Sequence, residues 1–167
     1  MSAKESLEPN ALRQQITDWL INEGWTVGGT PKPIADTAWA LQAVDRSGKS
    51  FALGQPNTRP DLVVIQTGIK LDARHAEKLG ALSHEDQEEF CWKLRFQLLD
   101  RVGFSGVAVP FESVNFVEKL FVEDLTRTHL FATLRTLQNA MLAVIWMVWR
   151  RLGQELPEEG APQPEIN

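Results

Sequence analysis

The chain has a single cysteine, Cys91, so no disulfide can form within it. Tyrosine is absent, whereas tryptophan occurs six times and phenylalanine eight. The aromatic residues are therefore large apolar rings with few polar handles, a set suited to cores and buried interfaces. No uninterrupted apolar run reaches the ~18 residues that cross a bilayer. The longest, Ala140–Trp149, has ten. Clustered Lys and Arg are missing too. The net charge is −5, and Glu155, Glu158, Glu159 and Glu165 in the base-free segment 154–167 take −4 of it, leaving the body at −1. A near-neutral body without a basic cluster argues against nucleic acid and membrane surfaces as partners. The start, MSAKESLEPN, lacks the apolar stretch of a secretory signal. With one cysteine and no such signal, the expected location is the cytoplasm.

Chemistry-bearing motifs are equally scarce. His75, His84 and His129 stand apart, and Cys91 has no second Cys or His at ligand spacing, so no metal and no cofactor are expected. Gly28-Gly29 lead into Pro31 and Pro33 and not into a helix, which excludes a phosphate cradle. Cys91, between Phe90 and Trp92, reads as a small buried apolar residue. The acidic pairs Asp86/Glu89 and Glu158/Glu159 read as solvated charge on a helix start and a polar tail. No catalytic residue is assigned, and the chain is expected not to be an enzyme.

What is present is a regular alternation of elements in one domain, 10–153. A disordered arm is expected at 1–9 and a disordered acidic tail at 154–167. Asn10 is placed as the N-cap of a helix running to Glu23, with Gly24 following it. Thr37–Val44, Lys49–Gln55 and Leu62–Leu71 alternate as strands of an antiparallel meander, with a turn at Asp45–Gly48. Ser83 caps a second helix with Glu85 and Asp86 in its first turn, and Gly103 is taken as its end. Gly106–Val109 and Val114–Val122 follow as strands, the second with a spacing that also fits a helix. Thr126–Leu152 is a long last helix, capped by Asp124 or Thr126 and closed by Gly153.

The last helix carries the most information. Leu130, Leu134, Leu137, Met141, Val144 and Val148 make one seam, while Leu142, Trp146 and Trp149 make another. A helix apolar on all sides must be covered on all sides, by the rest of the chain or by a partner. The middle helix repeats the pattern with Cys91, Leu94 and Leu98 on one stripe and Trp92, Phe96 and Leu99 on another. Two helices with surplus apolar faces favour a homodimer. Leu142, Trp146, Trp149, Trp92, Phe96 and Leu99 are the candidate interface residues.

The order α-βββ-α-ββ-α over 10–152 resembles the type III secretion chaperone fold. The phrase Leu20-Ile21-Asn22-Glu23-Gly24-Trp25 and its meander are more similar to YbjN-like proteins and to bacterial and archaeal families of unknown function. The fold class expected is α+β, an antiparallel sheet of about five strands with three main helices. The resemblance implies a homodimer that binds a protein client on apolar surface without catalysis. Two other readings stay open: a small enzyme or ligand-binding protein with a dispersed site, and a structural subunit of a larger assembly.

Overall fold

The computed structural model describes residues 8–29 and 36–153. The tail expected at 154–167 and most of the arm expected at 1–9 lie outside them. Glu8 and Pro9 are inside, and they correct the first helix start. Helix α1 spans Pro9–Asn22, with Glu8 in the N-cap position and no side-chain cap bond. Asn10 is within the helix, because proline fits the first helical turn, where its missing N–H is not needed. Gly24 ends α1 with φ +81, donating its N–H to the Ile21 carbonyl oxygen. The positive φ is what calls for glycine there; a Cβ would also sit 2.6 Å from Arg46 Nη2, the end of a flexible side chain that donates to the Glu23 carbonyl oxygen and would have to shift.

The strands are β1 (Thr26–Gly28), β2 (Thr37–Val44), β3 (Ser50–Pro56), β4 (Leu62–Lys70), β5 (Gly103–Ser105) and β6 (Ser113–Phe121). Helix α2 is Ala73–Gly80, α3 is His84–Leu99 and α4 is Arg127–Arg151, the last preceded by a 3-10 turn at Val122–Asp124. The class is α+β with an antiparallel open sheet in the order β1-β2-β3-β4-β6-β5. It holds six strands and four helices, not five and three. β1 is a three-residue edge strand whose pairing, Thr26↔Val44 to Gly28↔Gln42, is long-range. α2 is short and mostly polar outside. Its start is fixed by Asp72, whose carboxylate accepts the His75 N–H at 2.8 Å and holds the His75 ring nitrogen Nδ1 at 2.7 Å.

Two further boundaries move. α3 stops at Leu99, and Gly103 begins β5 instead of ending the helix. The strand expected at Gly106–Val109 is therefore found three residues earlier. Its successor is β6, so the helical alternative for that stretch is not adopted.

The chain divides into two compact units. The first takes the chain up to Thr67 together with Val117–Thr133, and the second takes Gly68–Phe116 and the chain from Leu134 on. In the first unit the meander alternates as its sequence does. Trp39, Leu41 and Ala43 of β2 and Phe51 and Leu53 of β3 are buried with Leu12, Ile16 and Leu20 of α1. Trp39↔Gln55 and Leu53↔Ile65 set the register of the meander. The Trp39 indole N–H donates to Gln55 Oε1 at 2.9 Å, and Gln55 Nε2 donates to the Pro60 carbonyl oxygen at 2.6 Å. Trp25 packs on Phe51 and Phe131.

In the second unit Phe90, Leu94 and Leu98 of α3 are buried, as are Val114 and Phe116 of β6. Phe90 meets Phe111 at 5.5 Å between ring centroids. From α4, Leu134, Leu137, Val144, Val148 and Trp149 join the buried set. By length and composition α4 alone among the described helices could cross a membrane. Of its apolar window 39% is buried, and along the helix the seam of Leu130, Leu134, Leu137, Val144 and Val148 is buried.

Candidate functional site

Ser83 begins α3 by accepting the Asp86 N–H on its hydroxyl oxygen and donating that hydroxyl to the Asp86 carboxylate. Asp86 is held below the usual carboxylate range by the Ser83 hydroxyl first and by Arg151 second. Glu89 is likewise lowered, chiefly by the Lys93 ammonium 2.6 Å away. His84 and Glu88 pair at 3.3 Å. These contacts spend the acidic start of α3 on the helix itself.

The apolar stripe anticipated on α3 faces water. Trp92 is 55% exposed, Phe96 67% and Leu99 66%. Trp146 on α4 is 49% exposed. Trp149 is corrected: it is 3% exposed and belongs to the core, and Leu142 is only half-buried. The reason is angular. Three residues turn an α-helix by about 300°, so Trp149 lies about 60° round from Trp146, on the side of buried Ile145 and Val148. Of the six candidate residues, four are thus presented on helices of the second unit.

Trp92 is held as well as exposed. Its ring lies 5.8 Å from Phe96 and 5.1 Å under the Arg95 guanidinium. Arg95 in turn donates from Nε and Nη2 to the Val107 carbonyl oxygen at 3.1 and 2.7 Å. Beside Phe96 a cleft of about 610 Å³ opens between α3 and the end of α4. Phe96 and Met147 supply its apolar wall, and Lys93, Arg150, Arg151 and Glu89 its charges. Sequence reasoning singled out Phe96 but not Met147 or the arginines, because the cleft joins turns far apart in the chain.

Cys91 and the histidines are not among the described residues that line the cleft. Cys91 is buried, and burial pushes its thiol above the usual range against a smaller opposing effect of Arg95. His129 belongs to the other unit, where its Nδ1 faces the Asp124 carbonyl oxygen at 3.3 Å. Among the described residues no three His, Cys, Asp or Glu side chains group as metal ligands.

A family model described as an uncharacterized conserved protein, DUF2299, matches residues 12–148, most of the chain. The chain belongs to the DUF2299 family. Its fold is similar to that of a crystal structure of an uncharacterized protein from Methanothermobacter thermautotrophicus. The TM-score is 0.77 at 24% identity, over 84% of this chain and 99% of that one. Among curated proteins none matches. In this DUF2299 chain both α3 and α4 lie largely within the matched residues, so the exposed stripe sits inside the family's own extent.

Proposed function

We propose that this DUF2299 chain is a non-catalytic, chaperone-like protein-binding module of the cytoplasm, acting as a homodimer. The observation that carries this reading is the set Trp92, Phe96, Leu99 and Trp146, four large apolar side chains about half exposed or more on α3 and α4 of one unit. A second copy is the proposed occupant of this face. The element order, an α+β chain with a bulky last helix, supports the finer likeness to the type III secretion chaperone fold.

The energetics favour pairing. The four side chains leave roughly 400 Å² of apolar surface per copy in water, or about 10 kcal/mol gross at 25 cal/mol per Å². Two copies double that figure, against association costs of about 4–15 kcal/mol. Arg95 and Lys93 at the border supply the polar rim that a dimer interface carries.

The test is the double variant Trp92→Gln/Phe96→Gln. Sedimentation at tens of micromolar is expected to move from dimer for the native chain to monomer for the variant, with an unchanged far-ultraviolet spectrum. A native chain already monomeric at that concentration overturns the reading.

A further inference from the structure

The cleft between α3 and the end of α4 has an unusual charge for this molecule. Lys93, Arg150 and Arg151 line it against one carboxylate, Glu89, in a chain of net charge −5. Lys93 is paired with Glu89 and Arg151 with Asp86. Arg150 is exposed and has no ion-pair partner among the described residues. Between the cations the wall is apolar, formed by Phe96 and Met147. An occupant therefore has to be acidic, narrow and apolar at one or two points.

We propose that the occupant is the chain's own acidic segment, residues 154–167. It begins three residues after Arg151, which lines the cleft. Gly153 follows α4 with φ +68, a left-handed residue that turns the chain off the helix axis. The segment holds Glu155, Glu158, Glu159 and Glu165 and no base, and it carries Leu156 and Ile166 as apolar points. Fourteen extended residues reach roughly 45 Å at ~3.3 Å each. The stretch of α3 from Glu89 to Gln97 needs only about 12 Å at 1.5 Å per residue. Leu156 is then the group set between Phe96 and Met147, with Glu155, Glu158 and Glu159 against Arg150, Lys93 and Arg151. The tether makes this an intramolecular event at an effective concentration in the millimolar range, so weak contacts suffice.

The inference does not rest on the homodimer. Trp92, Leu99 and Trp146 are not among the groups that line the cleft, whereas Phe96 and Lys93 are shared. The experiment reads tail contact whatever the oligomeric state. A nitroxide is placed on the full-length chain at Gly160→Cys, which keeps all four carboxylates, with buried Cys91 left in place. Amide signals of Glu89–Gln97 on α3, remote in sequence from the label, are expected to lose most of their intensity, while those of β2 keep theirs. In the same labelled chain carrying Lys93→Glu/Arg150→Glu, and at high salt, the α3 signals are expected to return, because exposed ion pairs are screened. Unchanged α3 signals overturn the proposal. So does a loss that survives charge reversal, and so does a loss seen only when labelled chain is mixed with isotopically labelled chain, which places the tail on another copy.

Discussion

The two units treat the same kind of side chain differently. In the first, none of the three tryptophans is exposed: Trp39 is buried with its indole N–H satisfied by Gln55, and Trp19 and Trp25 are half-buried. In the second, Trp149 is core, whereas Trp92 and Trp146 face water with Phe96 and Leu99. The first unit is not free of exposed apolar side chains, since Ile21 and Phe121 are 55% and 48% exposed, but its tryptophans are drawn towards the meander core. The second leaves the outer arcs of α3 and α4 in water at Trp92, Phe96, Leu99 and Trp146. The lesson is that composition does not decide exposure; the angular width of an apolar face relative to what packs on it does.

The largest expected effect separates two tryptophans three residues apart. Trp149→Ala should cost about 3–5 kcal/mol in urea unfolding, the usual range for a buried aromatic. In chain dilute enough to be monomeric, Trp146→Ala should stay within about 1 kcal/mol, since surface changes are small. Equal costs would break the contrast between core and presented face. Next comes the first unit's own network. Trp39→Phe removes the donor to Gln55 and leaves a buried acceptor short of one bond, for an expected loss of about 1–3 kcal/mol in the same assay. No measurable loss would mean that the first unit is not closed by that bond.

Smaller effects sharpen the second unit. Ser83→Ala removes the α3 cap and should cost about 1 kcal/mol. Loss of helical signal confined to α3 amides, read by hydrogen exchange, would show that the presented stripe depends on its local cap. The smallest effect is in pH. The Asp72 carboxyl is lowered first by the His75 backbone N–H and then by the His75 side chain. A carboxyl lowered in the folded state stabilises above its unfolded value near 3.9, and the contribution is lost as pH falls through the folded value. Asp72→Asn should lose that contribution at neutral pH and flatten the acid limb of the stability profile, so that variant and native chain converge below about pH 4. A steeper limb would reverse the sign of that linkage.

Much of the meander was legible from residues alone. Thr37–Val44 alternates with a period of two, and the structure gives β2 those same bounds. Ser83, Thr126 and Gly153 marked helix ends through side-chain and glycine chemistry that acts within a few residues. β1 was missed because three residues carry no period, and its strand character comes from pairing with Gln42–Val44. Gly103 was read as a helix stop although Asp100 already ends α3, leaving glycine free to open a strand. At the candidate site the stripe Trp92, Phe96 and Leu99 was legible as surplus. Trp149 was not separable from Trp146, because a helix apolar all round does not say which arc the rest of the unit will cover.

Arg95 gives the exposed face a property that exposure by itself lacks. Its guanidinium is anchored to the Val107 carbonyl oxygen and roofs the Trp92 ring, which also leans on Phe96. The indole therefore has few rotamers left to surrender. Ordering a mobile side chain on association costs roughly 0.5–1.5 kcal/mol, and for Trp92 most of that ordering is completed during folding. A docking partner therefore meets at Trp92 an indole already held on two sides, by Phe96 and by Arg95.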